Sequence, residues 1–332
     1  MSTDLRKFTA CVVGCGRAGF TYDLDPKRKE TYTHFNMYRK FQRIKKVIAV
    51  DSNKNLLKKI ENLHPETECY TSLQQAISVE KIDIVSICTP SNLRYSLIEI
   101  AVKAGVKAIF CEKPLAITAE EGQKIIDLCH ENKVLLAVNY FRRWDQFHIK
   151  TSNFLKEEKL GQIKNITFKY TNGVVNTGSH AFDLINMMFG EIASIESGNI
   201  KAEEKDDPTL DLVAELKNNS KVYMYGFDKE EFRIFELDVI GTRGRIVIHN
   251  GYEMDYYEIG NSKRNSEFKT LIKKEPLFKN GRHQHYESAI KNIVNAIESN
   301  ETLKCTGETA LTSLKCSLAA IDSFSKGKKI VL

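Results

Sequence analysis

The chain has 332 residues, 42% of them hydrophobic and 28% charged, with only 6 prolines and 18 glycines; such a composition excludes a disordered or collagen-like protein and is long enough for two cores. Its 49 Lys and Arg against 43 Asp and Glu leave a net charge of +6, scattered along the sequence, which suits an anionic small ligand but lacks the dense basic stripe and recognition motif of a nucleic-acid binder. No run of about 18 apolar residues suggests a membrane span, and the eight cysteines never form a C-x-x-C pair, so the thiols read as reduced and the protein as cytoplasmic, without nucleic-acid or membrane partners.

From the amino end, short apolar runs alternate with longer amphipathic stretches. "FTACVV", "KKVIAV", "DIVSIC", "KAIFCE" and "VLLAV" are apolar almost throughout, as strands covered on both faces must be. Between them "NKNLLKKIENL", "LRYSLIEIAVKAG" and "TAEEGQKIIDLCHENK" have helical spacing, and Thr118 with Glu121 forms a capping-box pattern. This alternation predicts βαβ units wound into a Rossmann domain over residues 1–138.

Beyond that boundary the pattern changes. From about 190 to 275, "TLDLVAELK", "KVYMYGF", "FRIFELDVIG", "GRIVIH" and "YEMDYYEIG" follow one another through Gly, Asn and Asp turns without long helices, predicting a large, mostly antiparallel sheet. Helical patterns at 283–299 and 307–326 precede a short "KKIVL" tail. The overall expectation is α/β, with an α+β second domain over residues 139–332.

The first strand runs straight into "GCGRAG", which spans Gly14, Cys15, Gly16, Arg17, Ala18 and Gly19. In G-x-G-x-x-G spacing the first glycine permits a tight turn, the second lets backbone approach a pyrophosphate, and the third allows close helix packing. The second strand ends in Asp51, followed by Ser52; a carboxylate there accepts hydrogen bonds from an adenosine ribose and repels a 2′-phosphate, favouring NAD over NADP. Asp51 lies 37 positions after Gly14, where the fingerprint expects roughly 20. The polar stretch between Phe20 and His34 is therefore read as an inserted loop on the ligand edge, either covering cofactor, touching substrate or merely solvated.

"VKAIFCEKPLA" ends its strand in Glu112-Lys113-Pro114. At the carboxyl edge of a parallel sheet, Lys113 would stand beside a nicotinamide, positioned to bond a substrate oxygen and exchange its proton, with Glu112 holding it and Pro114 fixing the exit of the chain. His283 and His285 in "GRHQHYES" lack a third ligand at suitable spacing, so no metal is expected.

Taken together, "GCGRAG", "VIAVD", "ICTPSN", "VKAIFCEKPLA", "AVNYFRRW", "NTGSHAFDLINMMFG" and "AIDSFSKGKKIVL" resemble the glucose-fructose oxidoreductase and inositol dehydrogenase (Gfo/Idh/MocA) family over most of the chain. The resemblance implies that Lys113 is catalytic and orients substrate, that Thr89, Pro90, Asn92 and Glu112 join the cofactor site, and that Asn139 belongs to the substrate site. It also aligns the run from Asn176 to Asp183 with the family's D-x-x-x-H-x-x-D, making His180 an acid/base and Asp183 a helix anchor. Asn176 stands where many relatives have Asp, which removes a charge opposite His180. Arg94 stands where relatives commonly have His, and its guanidinium, like those of Arg142 and Arg143, is suited to an anionic substrate group.

The function this resemblance implies is an NAD(P)-dependent oxidoreductase moving hydride between nicotinamide and a hydroxyl or carbonyl carbon of a sugar or nucleotide sugar, in the manner of surface polysaccharide enzymes. The alternatives are an NAD-dependent glycoside hydrolase of the same fold and a non-catalytic NAD-binding sensor. The family's open sheet also implies a homodimer or homotetramer.

Overall fold

The computed structural model describes residues 6–28, 30–202, 207–278 and 285–332. They fall into two compact units, one formed by the described residues within 1–144 and 283–311, the other by those within 145–282 and 312–332.

In the first unit, β1 (Phe8–Val13), β2 (Ile44–Val50), β3 (Glu68–Tyr70), β4 (Ile84–Ile87), β5 (Ala108–Cys111) and β6 (Leu135–Val138) form a parallel sheet in the order β3-β2-β1-β4-β5-β6. Every residue of β1, β4 and β5 is buried, the reason these strands show no polar alternation. The order reverses between β1 and β4, so the chain leaves these neighbouring strands in opposite directions and opens a crevice at their carboxyl ends.

The crossover helices are α1 (His34–Lys40), α2 (Lys54–Leu63), α3 (Leu73–Val79), α4 (Arg94–Lys103) and α5 (Ala119–Glu131). Thr118 caps α5 by accepting the Glu121 N–H at 3.1 Å, while the Glu121 carboxylate reaches back to the Ile117 N–H at 3.1 Å. The capping box predicted from sequence thus forms, with its return bond one residue before the cap.

In the second unit, α6 (Gln146–Lys156) is followed by β7 (Ile163–Thr171), α7 (Gly178–Phe189), β8 (Ile192–Ala202), β9 (Thr209–Leu216), β10 (Lys221–Phe227), β11 (Phe235–Gly241), β12 (Gly244–His249), β13 (Glu253–Asn261) and β14 (Lys269–Lys274). After α8 (His285–Ser299) and α9 (Gly307–Lys326), β15 (Ile330–Val331) completes a nine-stranded sheet ordered β14-β13-β12-β11-β7-β10-β9-β8-β15. Pairing is antiparallel apart from β7 with β10.

One face of this sheet packs on helices. Ile166, Phe168 and Tyr170 of β7, Val222 and Met224 of β10, and Leu237 and Val239 of β11 recur at every second position in a core shared with Phe182 and Ile185 of α7 and Cys316 and Ala320 of α9. The opposite face of β10 carries Tyr223 and Tyr225, 37% and 45% exposed.

The division expected at 138/139 differs from the observed units. The first unit continues to Trp144 and regains the chain at α8, where the Trp144 indole N–H donates to the Asn292 side chain at 3.0 Å and the Val138 N–H donates to the Cys305 carbonyl at 3.2 Å. A change in hydrophobic period marks where strands give way to another pattern, but it carries no sign of a distant helix packing back on the first sheet. Strand β7, at the centre of the second sheet, was also missed; "IKNITFKYT" is too polar on its exposed face to stand out.

Candidate functional site

The glycine loop lies at the switch point. Gly14 adopts φ +87°, and a Cβ there would stand 2.9 Å from the Cys88 carbonyl carbon and the Thr89 nitrogen, so glycine is required where the β1 and β4 exits cross. A Cβ on Gly19 would stand 2.0 Å from the Gly14 carbonyl oxygen. At Gly16, by contrast, no atom beyond the glycine and its two chain neighbours lies within 4 Å of that position; the missing side chain leaves an open cradle against the backbone.

Asp51 buttresses this loop. Its Oδ2 accepts the Cys15 N–H at 2.7 Å and its Oδ1 accepts the Asn53 N–H at 2.8 Å. The Cys15 thiol is buried, and burial raises its pKa well above the ordinary value, so it is a packing group and not a nucleophile.

The inserted segment interrupts a helix. The N–H groups of Phe20 and Tyr22 bond the Gly16 and Arg17 carbonyls, and the next carbonyls, of Ala18 and Gly19, are taken by His34 and Phe35 at 3.0 Å each. His34 therefore occupies the ladder position that residue 22 would hold in an unbroken helix, so twelve residues are spliced in. Without them Asp51 would follow Gly14 by twenty-five positions, close to the roughly twenty of the fingerprint.

The neck of the insertion is closed by Asp23, whose carboxylate accepts the Tyr32 N–H at 2.6 Å, the Thr33 hydroxyl at 2.6 Å and the Asn36 amide at 2.8 Å. Within the loop, the Arg28 guanidinium lies 4.2 Å from the Tyr22 ring centroid and 4.9 Å from that of Tyr32, an ordered cation–π stack. The insertion is thus a braced loop.

At the end of β5, Glu112 gathers the polar groups. Its Oε1 lies 3.1 Å from His34 Nε2 and accepts the Asn139 amide at 2.7 Å, while Oε2 accepts the Lys113 N–H at 3.2 Å. Behind it, His34 Nδ1 lies 2.8 Å from the Ser86 hydroxyl, which lies 2.8 Å from the Tyr38 hydroxyl. Burial alone would raise the Glu112 pKa, but the bond and charge of His34, the Asn139 amide and the charge of Lys113 outweigh it and hold the carboxyl down at about 2.

Arg94 departs from expectation. It is 4% exposed, and its guanidinium donates to the carbonyls of Thr89 at 3.0 and 3.1 Å, Glu112 at 2.5 Å and Lys113 at 3.4 Å. Four of its five N–H donors tie the β4 and β5 exits together, so its role here is that of a tether. Arg142 is also buried, its guanidinium 4.5 Å from the Phe141 ring centroid, whereas Arg143 is half-buried. His285 packs at 4.9 Å from Phe141, and His283 lies outside the described residues.

In the second unit, the run from Asn176 to Asp183 begins in a π turn, Gly173–Thr177, and continues into α7. Asn176 is exposed, His180 half-buried and Asp183 buried. The turn hangs from Asp207, whose Oδ1 accepts the Val175 N–H at 2.6 Å and Oδ2 the Asn176 N–H at 2.8 Å. Gly173, at φ +82°, lies so close that a Cβ would stand 2.0 Å from the Asp207 carboxylate. Asp183 accepts the Ser313 hydroxyl of α9 at 3.5 Å, consistent with an anchoring position.

The first unit brings together Gly14 to Gly19, Asp51, Thr89, Glu112, Lys113 and Asn139 through backbone turns at the ends of β1, β2, β4, β5 and β6. His34, Ser86, Asp23 and Asp207 escaped sequence reasoning. For His34 a signal existed: "THFNMY" places a capping Thr33 before Phe35 and Tyr38 at helical spacing, but the polar insertion had displaced it from the glycine loop.

The residues fit a dinucleotide. The Gly16 cradle is open, and two side-chain atoms on the same edge, Thr89 Oγ1 and Asn139 Oδ1, are buried with no hydrogen-bond partner among the described residues. This fold and site define a dinucleotide-binding α/β protein. The chain belongs to the Gfo/Idh/MocA oxidoreductases: residues 8–140 match the oxidoreductase family's NAD-binding Rossmann fold and residues 169–332 its C-terminal alpha/beta domain.

Among its relatives, the inositol 2-dehydrogenase of Rhizobium meliloti is 23% identical over 277 residues, 75% of this chain and 80% of that protein. The scyllo-inositol 2-dehydrogenase (NADP(+)) of Bacillus subtilis is 27% identical over 165 residues, 44% of this chain and 46% of that protein. The WlbA dehydrogenase of Bordetella pertussis, solved with NADH and UDP-GlcNAcA, superimposes with a TM-score of 0.77 at 17% identity, covering 98% of this chain and 99% of that one.

Proposed function

We propose that the protein is an NAD-dependent dehydrogenase or ketoreductase acting on a hydroxyl or carbonyl carbon of a sugar, cyclic polyol or nucleotide sugar. The observation that carries this reading is the Glu112–Lys113 corner, where the Glu112 carboxylate is held by three hydrogen bonds beside a lysine at the ligand edge of the sheet. The inositols in the names of two relatives and the UDP-linked sugar bound in a structural neighbour support the class.

NAD supplies the hydride acceptor when bound. Gly16 offers its backbone to the pyrophosphate, and Asp51, already braced by Cys15, presents carboxylate lone pairs that favour a free ribose over a 2′-phosphate. Lys113 exchanges the proton of the substrate oxygen as its charge changes, and Thr89 Oγ1 and Asn139 Oδ1 supply acceptors for ligand donors. Ser52, Pro90 and Asn92 complete the cofactor contacts, with Arg142 and Arg143 toward substrate anions. In the second unit His180 acts as acid/base, with Asn176 as a neutral hydrogen-bonding partner for substrate.

The exposed face of the second sheet, bearing Tyr223 and Tyr225, is the surface for pairing with a second copy; a monomeric mass by light scattering would reject this part. The decisive test of function is fluorescence titration with NADH and NADPH followed by a panel of inositols, aldoses and UDP- or dTDP-sugars read by nicotinamide absorbance. Tighter NADH binding with turnover of at least one class is the expected result. Release of free sugar from a glycoside without net NADH would point instead to the glycosidase reading, and tight binding with no turnover across the panel to a sensor.

A further inference from the structure

The insertion after the glycine loop does more than interrupt a helix. It ends by delivering His34, which is fully buried, into the interior of the first unit, against the Phe110 ring at 4.5 Å. There the imidazole bridges two elements of the sheet: Ser86 of β4 on one nitrogen and Glu112, at the end of β5, on the other. Nothing in the cofactor chemistry calls for a buried histidine at this place.

The bonding pattern fixes one proton. An ionised Glu112 can only accept, so His34 Nε2 carries a proton and donates to it; on the other side the Ser86 hydroxyl lies between His34 Nδ1 and the Tyr38 hydroxyl, 2.8 Å from each. Tyr38, Ser86, His34 and Glu112 form one connected chain in which each bond polarises the next. In this state the 3.4 Å approach of the Asn139 amide to His34 Nε2 faces donor to donor, so the amide's hydrogen bond is the one to Glu112. The opposite oxygen of Glu112 holds the Lys113 N–H.

We propose that His34 is a positioning residue: clamped by Ser86 and by the Asp23-closed insertion, it fixes the Glu112 carboxylate and through it the Lys113 peptide. This rests on the reading of Lys113 as the proton-exchanging group. The insertion is thereby part of the active-site support, since its neck, Asp23 with Thr33 and Asn36, sets the register in which α1 presents His34.

The test compares His34→Leu, His34→Gln and Ser86→Ala with the parent enzyme and with Lys113→Met. His34→Leu should lower kcat by about 100-fold, the scale of a small misplacement of a catalytic group, with the Kd for NADH within about twofold. His34→Gln keeps an N–H donor on a flexible arm and should recover to within about tenfold of the parent, and Ser86→Ala, which keeps the imidazole, should lose about fivefold. In protein labelled with 13C at the glutamate carboxyl carbon, the Glu112 resonance, assigned with Glu112→Gln, should titrate at a higher pH in His34→Leu than in the parent.

A His34→Leu enzyme with parental kcat beside an inactive Lys113→Met overturns the proposal and leaves the Lys113 reading standing. So does a glutamine variant as impaired as leucine, because bulk and not donation would then be what matters. Full activity in Lys113→Met removes the underlying reading instead. If the leucine variant does not fold, Ser86→Ala decides: unchanged turnover and an unchanged Glu112 titration overturn the proposal.

Discussion

Asp51 and Cys15 are joined across the sheet edge: the carboxylate at the end of β2 accepts the Cys15 N–H of the glycine loop at 2.7 Å. The residue expected to select the cofactor also props the loop that receives it. Replacing Asp51 with alanine should therefore weaken NADH binding through both effects, while relieving charge repulsion toward a 2′-phosphate. The expected outcome is a fall of at least about tenfold in the NADH-to-NADPH affinity ratio; an unchanged ratio in fluorescence titrations would separate Asp51 from cofactor choice.

Gly16 and Gly19 should respond in opposite ways to alanine. A Cβ on Gly19 would meet the Gly14 carbonyl at 2.0 Å, whereas at Gly16 it enters open space. Gly19→Ala should destabilise the fold by about 2 kcal/mol or more through overpacking. Gly16→Ala should melt close to the parent yet bind NADH at least about tenfold more weakly, since its methyl fills the cradle. Calorimetry and binding on the same two preparations distinguish the outcomes.

Lys113→Met keeps an unbranched side chain of similar reach without an exchangeable proton. Turnover should drop by about 100-fold or more, with the Kd for NADH changed by less than about threefold. Equal losses in binding and turnover would mark the lysine as a cofactor ligand.

Glu112 makes stability depend on pH in a defined direction. Its folded pKa of about 2 lies below the ordinary 4.5, so its contribution is fully present above pH 4.5 and is lost as pH falls through about 2. The displacement corresponds to about 3 kcal/mol at neutral pH as an upper figure. Glu112→Gln should be less stable than the parent at pH 7, and the gap should close between pH 4.5 and 2; a constant gap in denaturant titrations would contradict this.

Asp207→Ala removes the acceptors of the Val175 and Asn176 N–H groups and should cost about 1 to 3 kcal/mol. Because these bonds shape the turn that carries Asn176, KM for substrate should rise as well, with Asp207→Asn intermediate. Unaltered KM with lowered stability would confine Asp207 to folding.

Much of the first unit was legible because local rules specify it. "FTACVV" into "GCGRAG" is a buried strand meeting a glycine turn, and both signals lie within a dozen consecutive residues. Arg94 was misjudged for the converse reason: an arginine after a strand looks like an anion site until the carbonyls of Thr89, Glu112 and Lys113 are seen to take its donors. Hydrogen-bond satisfaction is a property of the neighbourhood, and residue type alone does not reveal it.

By itself the sequence determined the strand and helix alternation, the glycine loop, the Asp51 end of β2 and the placement of Lys113 on the ligand edge, since period and turn chemistry act over a few residues. The folded chain decided which unit owns α8, that the insertion interrupts a helix without destroying its ladder, and that His34 meets Glu112 across 78 positions of sequence. Such contacts depend on which carbonyl, hydroxyl or carboxylate the packing brings opposite a donor, and that choice is made by burial: a polar group withdrawn from water must find its partner inside.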